Sequence, residues 1–589
     1  MQQHDYSEVM ALLNQYAGQF NAMVQQVLSQ RTQSHDGQPM FDQEKLFSLL
    51  KEDVEVDSAS LMQHQLTFMQ QQSQLWQQMG KVMMGEKVEP VISESQDDKR
   101  FAHNDWQDNP VFSFLKQSYL INTQMMQGVV EAMHFKDPKC AEQVRFYTRQ
   151  YMNSMAPTNY LMCNPEVCEE LLKTKGQSMV QGIKNFLRDL EHSPLEAFKI
   201  TQTATDAFSV GDNLATTPGK IIYENPLMQL IHYTPATPKQ YARPILFVPP
   251  FINKFYILDL NERKSMVKGL LDKGFAVFMI SWVNPDASLA EHDFASYMHQ
   301  GPIAALDVVC RVTGQSKVNM TGFCVGGTLL SVTAAYLRAK HDERIGSLTL
   351  LTTLLDFTIQ GEIGNYVNDD SIAIMENNAD IKGIYDGRIL GLSFSLLREN
   401  NLFWSYFINN YLKGKDPAPF DILYWNSDAT NITAACFKQY VRHTYWKNKL
   451  KEPGGLTIDG IAIDLANIDM PVYFLATLAD HIVLWQGAYA GTRLVSGETR
   501  FVLAGSGHLA GVINPDNSGK YPHWINPSLE GDAHQWFEQA EQHEGSWWPD
   551  WRQWLTAQDK TKVQAIMPGE HVEFPAREEA PGSYVRKTL

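Results

Sequence analysis

The sequence predicts a doubly wound α/β fold with a mostly parallel sheet, preceded by a helical region. From about residue 219 onward, short apolar runs rich in β-branched and aromatic residues alternate with helical stretches. Strands that alternate with helices build a parallel sheet covered by helices on both faces. The later runs are continuously apolar, which is typical of strands buried on both sides.

The amino-terminal region divides into two predicted segments. Residues 1–95 are rich in Gln and Met, and residues 96–205 are expected to form a helical domain. Within the first segment, apolar residues recur mostly every three or four positions, which places a stripe along one helix face. This stripe either packs on its own domain or serves as a partner-binding or amphiphilic surface. Its members are Met62, Leu66, Phe68, Met69, Trp76, Met79, Val82 and Met83.

Residues 206–589 are predicted to form the main domain, with eight apolar runs as its strands. A stretch at 357–465, which has many aromatic residues and a helical character, separates the sixth run from the seventh. It is too long for a simple crossover loop, so we expect a helical cap. The eight runs are KIIYEN, MQLIHYTP, PILFVPP, AVFMISW, KVNMTGF, SLTLLTTLL, PVYFLATLAD and TRFVLAGSGH.

Charge and composition restrict the possible functions. The net charge of −17 argues against a general nucleic-acid binder, which would be basic. The start, MQQHDYSEVMALLNQY, has acidic residues where a signal peptide is basic, and no stretch is apolar enough to span a bilayer. Six cysteines in so long a chain do not suggest a disulfide framework, and none has zinc-finger spacing. We therefore expect a cytoplasmic protein without a metal site.

The stretch KVNMTGFCVGGTLLSVTAAYL indicates a nucleophile. It reads as a strand, a tight turn and a helix, with Cys324 at the tip of the turn. Gly322 and Gly326 stand where a side chain would block a sharp strand-to-helix turn, as in the nucleophile elbow of α/β-hydrolases. The helix dipole at such a turn favours a thiolate. The sequence thus predicts an α/β-hydrolase core with Cys324 as its nucleophile.

An elbow of this kind predicts an acid and then a histidine later in the chain. Asp480 ends the run PVYFLATLAD, and His508 lies in the glycine-flanked loop after TRFVLAGSGH. His508 is the predicted general base towards the Cys324 thiol, and Asp480 the group that orients it and stabilises its charge. The rival base is His481, and the rival acid is Asp356 in TTLLDF.

Backbone N–H groups are predicted to stabilise the oxyanion. One belongs to Val325 at the start of the helix. The other comes from the loop VPPFINKFYILDL after the third run, where Pro249 and Pro250 have no N–H and Phe251 and Ile252 are the first possible donors. We assign Phe251. A purely structural proline turn is the alternative.

A cysteine at the elbow suits acyl transfer from a thioester. Transfer between two thiols is roughly neutral in energy, so the acyl group stays activated and can pass to an alcohol. Cysteine also serves in some hydrolases, so the thiol by itself does not settle the reaction.

Beyond the elbow, the chain resembles the bacterial polyhydroxyalkanoate synthases, most closely the single-subunit class I type. The similarity covers roughly residue 100 to the end, whereas residues 1–95 match only in general character. The segments that carry it include GFCVGGT, LADHIVLW, GSGHLAGVINPD, VPPFINKFYILDL, FMISWVNPD, SFSLLREN, PFDILYWNSDATN, GSWWPDW and APGSYVRKTL.

This resemblance implies an acyltransferase that polymerises (R)-3-hydroxyacyl-CoA into a polyester and releases CoA, with an α/β-hydrolase core and a cap. Cys324 would hold the growing chain as a thioester and His508 would deprotonate the thiol. Asp480 would assist His508 or activate the 3-hydroxyl of the monomer through it. No cofactor is implied, because CoA is part of the substrate and a product. Association with polyester granules and granule proteins, and a homodimer, are also implied.

Three further residues are candidates on the same resemblance. Trp425 lies where the family has a tryptophan linked to dimer formation, although ordinary aromatic packing would explain it equally well. Lys254 and Arg398 are candidate contacts for the CoA phosphates, with structural ion pairs as the alternative.

Two other functions are compatible with the elbow. One is a thioesterase or an intracellular polyester depolymerase, and the other is a non-catalytic scaffold on the granule surface.

Overall fold

The computed structural model describes residues 54–194 and 197–589, which divide into two compact units. The first unit contains the described residues up to Ala204 together with Leu392–Ala418, and the second contains Thr205–Gly391 and Pro419–Leu589. The stretch 357–465, predicted as a cap, is therefore divided, and its middle part belongs to the first unit.

Helices dominate the first unit. Three of them begin with proline, preceded by a residue whose side chain accepts N–H groups of the first turn: Asn109, Asp137 and Asn164. Proline fits this position because the first-turn N–H has no partner within the helix. The helices are α1 (Ser58–Met83), α2 (Asp105–Asp108), α3 (Pro110–Glu131), α4 (Pro138–Ser154), α5 (Pro165–Lys173) and α6 (Gln177–Glu191), and strands β1 (Val54–Val56) and β2 (Met133–Phe135) pair antiparallel.

The predicted apolar stripe lies on α1. The buried residue of this helix is Leu75, which is not one of the stripe residues. Five of the stripe residues are exposed. One of the five, Trp76, also packs on the Phe114 ring of α3, with centroids 4.9 Å apart. The exposed fractions are 63% for Met62, 55% for Leu66, 66% for Met69, 64% for Trp76 and 78% for Met83.

Buried carboxylates explain why Leu392–Ala418 packs with the first unit. Asp189 accepts a 2.6 Å hydrogen bond from the Tyr411 hydroxyl. Glu399 accepts one of 2.7 Å from Asn153 and lies 3.4 Å from Arg149. A buried carboxylate requires such partners, so these contacts fix the segment on the first unit.

The second unit is built on an eleven-stranded sheet in the order β17-β16-β15-β14-β9-β8-β6-β7-β4-β3-β21. The six central strands, from β15 to β7, are parallel, and the outer ones are antiparallel. All eight predicted runs form strands of this sheet, which confirms the predicted fold class. The strands are β3 (Gly219–Glu224), β4 (Met228–Tyr233), β6 (Ile245–Val248), β7 (Val277–Trp282), β8 (Val318–Phe323), β9 (Ile345–Leu351), β14 (Val472–Thr477), β15 (Thr499–Ala504), β16 (His523–Ile525), β17 (Glu541–His543) and β21 (Glu578–Glu579).

Short strand pairs and helices complete this unit. The smaller strands are β5 (Lys239–Tyr241), β10 (Ile384–Tyr385), β11 (Ile432–Thr433), β12 (Leu456–Ile458), β13 (Ile461–Ile463), β18 (Lys562–Gln564), β19 (Glu570–His571) and β20 (Phe574–Pro575). The helices are α7 (Met266–Leu271), α8 (Phe294–Met298), α9 (Ala304–Thr313), α10 (Val325–Ala339), α11 (Asp369–Lys382), α12 (Gly387–Leu397, whose end enters the first unit), α13 (Asp421–Ser427), α14 (Ala434–Val441), α15 (Trp485–Gly491), α16 (Ala533–Glu538) and α17 (Trp548–Gln558). Within 54–194 and 197–589, no helix combines the length and apolarity of a bilayer span.

Candidate active site

Cys324 stands on a sharp turn between a buried strand and a buried helix. Strand β8 ends at Phe323 and helix α10 begins at Val325, so a single residue connects them. Cys324 has φ 52° and ψ −126°, a conformation that side-chain-bearing residues rarely adopt. Its N–H donates to the Leu351 carbonyl at 2.9 Å, which attaches the turn to β9. Backbone strain at the single residue between a strand and a helix is a feature of nucleophile elbows.

The flanking glycines are required by close backbone approaches. A Cβ at Gly322 would lie 2.4 Å from the Gly327 Cα, across the turn. A Cβ at Gly326 would lie 2.3 Å from the Val248 carbonyl oxygen, at the end of β6. The second contact brings the start of α10 against the loop that follows β6. The predicted nucleophile and the predicted donor loop are therefore neighbours.

Asp480 and His508 meet at the same edge of the sheet. Asp480 follows β14 and His508 follows β15, and the His508 Nδ1 lies 2.7 Å from the Asp480 Oδ2. Both side chains are buried, with exposures of 0% for Asp480 and 8% for His508. The Asp480 Oδ1 accepts the N–H groups of Ile482 and Val483, each at 2.9 Å. The carboxylate is thus fixed by its own turn and presents its other oxygen to the imidazole.

The electrostatics of His508 connect it to Cys324 as well. Burial lowers the pKa of His508, but the interactions with Asp480 and Cys324 outweigh burial and raise this pKa to about 10. Hydrogen bonds to both side chains act in the same direction. His508 therefore lies between Cys324 and Asp480, and both interactions favour its protonated form.

The rival acid and base have other positions. Asp356 accepts hydrogen bonds from the N–H and hydroxyl of Thr358 and from the Asn448 amide. It caps the turn at Phe357–Ile359, which is a structural role. His481 lies in the turn after Asp480, but the imidazole 2.7 Å from the Asp480 carboxylate is that of His508.

The two N–H groups predicted as oxyanion donors have no acceptor among the described residues. Among the residues that the structure describes, no acceptor is bonded to the N–H of Val325 or of Phe251. Val325 opens helix α10, and Phe251 lies in the loop held against Gly326. Unpaired N–H groups beside a nucleophile are the arrangement that stabilises a tetrahedral oxyanion.

Two tyrosines, Tyr440 of α14 and Tyr445 shortly after it, interact with Cys324, and the sequence interpretation missed them. Burial, together with the charges of Cys324 and Asp480, raises the pKa of the Tyr445 hydroxyl. Burial, Tyr445 and Cys324 likewise raise that of Tyr440. The ring centroid of Tyr440 lies 6.1 Å from that of Phe251 and 6.1 Å from that of Tyr445. The dense aromatic composition of 357–465 was the only signal for them, and it does not identify individual residues.

Known proteins match this chain over most of its length. Residues 97–270 match the family model described as "Poly-beta-hydroxybutyrate polymerase (PhaC) N-terminus", and residues 243–515 match the α/β-hydrolase fold. The "Poly(3-hydroxyalkanoate) polymerase subunit PhaC" of Cupriavidus necator is 41% identical, with coverage of 90% of this chain and 89% of that protein. The chain belongs to the poly(3-hydroxyalkanoate) polymerase family.

A second curated relative supports the assignment. The PhaC subunit of Rhizobium meliloti is 39% identical over 93% of this chain and 89% of its own. A solved hydrolase from Pseudomonas aeruginosa matches 50% of this chain and 92% of its own at 15% identity, with a TM-score of 0.30. Membership of the polymerase family confirms the resemblance seen in the sequence, and it confirms that this chain is a transferase.

The remaining candidate residues of this polymerase occupy two environments. The Lys254 side chain is 3% exposed and its Nζ lies 2.8 Å from Asp428, so its charge is paired inside the protein. This position does not favour a phosphate contact. Trp425 is 4% exposed and donates its indole N–H to the Lys254 carbonyl at 2.6 Å, which is a contact within one chain. Arg398 is exposed in the first unit, and its part in binding CoA stays a prediction.

Proposed function

We propose that this chain polymerises (R)-3-hydroxyacyl groups from CoA thioesters through a thioester on Cys324. The observation that carries the proposal is the position of His508, which is bonded to the buried Asp480 and raised in pKa by both Asp480 and Cys324. A thiolate and imidazolium pair at an elbow is a nucleophile ready for acyl transfer.

In the first step the Cys324 thiolate attacks the carbonyl carbon of the acyl-CoA. The N–H groups of Val325 and Phe251 are placed to stabilise the oxyanion. When the tetrahedral intermediate collapses, the bond to the CoA sulfur breaks, and His508 can supply the proton that the departing thiolate takes up. Cys324 then carries the acyl group as a thioester, and no external cofactor takes part.

In the second step the 3-hydroxyl of another hydroxyacyl-CoA attacks the thioester on Cys324. His508 accepts the hydroxyl proton, an ester forms, and the bond to the Cys324 sulfur breaks. The extended chain is still a CoA thioester, so it can acylate Cys324 again with loss of CoA. Asp480 keeps the Nδ1 side of His508 protonated and leaves Nε2 to exchange protons with Cys324 or the hydroxyl.

An aromatic cluster beside Cys324 favours polymerisation over hydrolysis. Tyr440 and Tyr445 interact with Cys324 and the Phe251 ring packs on Tyr440, so these rings would help to exclude the water that would cleave the thioester. They also offer a surface on which an apolar ester chain can lie. Retention of an activated acyl group requires both features.

The test follows CoA and polymer together. Purified protein is supplied with (R)-3-hydroxybutyryl-CoA, and Cys324→Ala and Cys324→Ser are assayed beside it. The proposal expects CoA release with insoluble polyester from the natural chain and no polymer from Cys324→Ala, whose circular dichroism spectrum should be unchanged. Free hydroxy acid without polymer would instead indicate a thioesterase, and an absence of CoA release would favour a scaffold.

Two expectations about partners belong to the same proposal. The insoluble product should bring the enzyme to a polyester granule surface in the cytoplasm, where granule-associated proteins also bind. A homodimer is the proposed oligomeric state. Light scattering of the purified chain with and without substrate measures it.

A further inference from the structure

The segment that carries the Phe251 N–H is bonded at both ends to tryptophan indoles. At its near end, the Trp282 Nε1 donates to the Pro249 carbonyl at 2.9 Å. At its far end, the Trp425 Nε1 donates to the Lys254 carbonyl at 2.6 Å. Trp282 belongs to strand β7 of the sheet, whereas Trp425 belongs to helix α13, within the stretch predicted as a cap.

Helix α13 and the residue after it make further contacts with the same loop. The Asp428 carboxylate lies 2.8 Å from the Lys254 Nζ and accepts the Tyr256 hydroxyl at 2.9 Å. At the other end of the helix, Asp421 accepts from the Lys264 ammonium at 2.8 Å and from the Asn261 amide at 2.7 Å. The helix is therefore attached along its length to the loop that leads away from Phe251.

The rigidity of the near end limits what can move. Pro249 and Pro250 have restricted backbones, and Val248 and Pro249 lie against Gly326, so this end follows the sheet and the elbow. Between Phe251 and Lys254 only two residues intervene. The Phe251 N–H belongs to the peptide that follows Pro250, a residue whose φ is fixed by its ring but whose ψ is not. The freedom that ψ leaves to this peptide is restricted from the Lys254 end, where the indole of Trp425 is the hydrogen-bond donor.

We infer that Trp425 is a positioning residue for the oxyanion donor: its indole N–H holds the Lys254 carbonyl and thereby aims the Phe251 N–H at the acyl carbonyl on Cys324. The inference rests on the proposed function, because it concerns the same acyl transfer. It gives Trp425 a role within a single chain, separate from any part in dimer formation.

The rate of acyl transfer depends on the orientation of the oxyanion donor. Loss of one oxyanion donor typically lowers kcat by about 10²–10³-fold. A donor that is displaced but not removed retains part of this effect, so we expect kcat to fall by about 10–100-fold in Trp425→Phe. KM should change by less than about threefold, since the ground-state carbonyl depends little on this donor.

Two reactions of Cys324 distinguish a misoriented oxyanion donor from a general distortion of the site. Acyl transfer from (R)-3-hydroxybutyryl-CoA passes through an oxyanion. Alkylation by iodoacetamide does not, because the sulfur displaces iodide from a tetrahedral carbon and the iodide leaves with the bonding electrons. Trp425→Phe should therefore slow CoA release and leave the alkylation rate of Cys324 within about twofold of the natural chain.

Trp551→Phe is the matched control. Trp551 is 1% exposed, lies in the same apolar cluster as Trp425, and donates its indole N–H to the Thr349 hydroxyl at 2.9 Å. Its removal costs a comparable buried hydrogen bond without a contact to the donor loop. If Trp425→Phe does not fold, benzothienylalanine at position 425 keeps the shape of indole and lacks only the N–H.

Each outcome decides the question. Slow acyl transfer with normal alkylation, unchanged KM and unchanged molar mass by light scattering supports the inference, provided that Trp551→Phe retains kcat. Equal kcat in Trp425→Phe and Trp551→Phe overturns it. So does a parallel loss of alkylation, which would indicate a distorted elbow, or a loss that tracks dissociation of a dimer. Absence of CoA release from the natural chain would contradict the proposed function itself.

Discussion

Replacement of Asp480 by asparagine is the sharpest test of the site. The Asp480 Oδ1 accepts two backbone N–H groups, which an asparagine carbonyl oxygen can also accept. The amide nitrogen would then take the place of Oδ2, 2.7 Å from the His508 Nδ1. Because an amide nitrogen only donates, Nδ1 would have to become the acceptor. The proton of neutral His508 would move to Nε2, and the imidazole could no longer accept a proton on that side.

The expected decrease in kcat follows from the loss of the Asp480 carboxylate charge. The charges of imidazolium and carboxylate are delocalised, so their centres are about 4 Å apart, and at an effective dielectric constant of about 20 they attract by about 4 kcal/mol. Since about 1.4 kcal/mol corresponds to a tenfold change in rate, we expect kcat to fall by about 10³-fold. The fold should persist because the shape and the Oδ1 contacts are retained.

The assay is CoA release on the millisecond and steady-state scales, with Asp356→Asn as the control. Asp356 caps the turn at Phe357–Ile359 and is bonded to Thr358 and Asn448, so its substitution should retain most of the activity. A slow first turnover in Asp480→Asn means that Asp480 supports acylation of Cys324. A normal first turnover followed by slow elongation assigns it to activation of the 3-hydroxyl. The reasoning is refuted if Asp480→Asn keeps more than a tenth of kcat in both phases, or if Asp356→Asn loses as much.

Two further predictions concern backbone packing and pH. Gly326→Ala should lower kcat by more than about 100-fold, because its Cβ would meet the Val248 carbonyl oxygen at 2.3 Å, whereas Gly391→Ala, which meets nothing within 4 Å, should be silent in the same CoA assay. Asp259→Asn should stabilise the protein near pH 7.5, because burial raises the pKa of Asp259 to about 6 despite hydrogen bonds from Ser265 and Thr217. A carboxyl whose folded pKa lies above its unfolded value destabilises the fold increasingly as pH rises through that range, so the gain should be about 1–3 kcal/mol above pH 6 and vanish near pH 4. Thermal unfolding of both chains from pH 4 to 8 measures this, and a gain that is independent of pH would contradict it.

The sequence by itself determined the nucleophile, the acid and the base as candidates. Each one follows an apolar run that can be recognised from neighbouring residues alone, and the carboxyl ends of parallel strands share one edge of a sheet. The order of Cys324, Asp480 and His508 and the glycines around the elbow therefore carried the prediction. The steric need for Gly322 and Gly326 is visible only in space, although the motif already implied it.

The tertiary structure decided which candidates meet. It bonds Asp480 to His508 and places Asp356 at the N-terminus of the turn Phe357–Ile359. Which of the two acids partners His508 depends on distances between residues far apart in sequence. It brings Tyr440 and Tyr445 to Cys324 and pairs Lys254 with Asp428. It also exposes the stripe on α1 and attaches Leu392–Ala418 to the first unit. Composition could not decide these points, because burial and charge pairing arise from contacts between distant segments and not from local spacing.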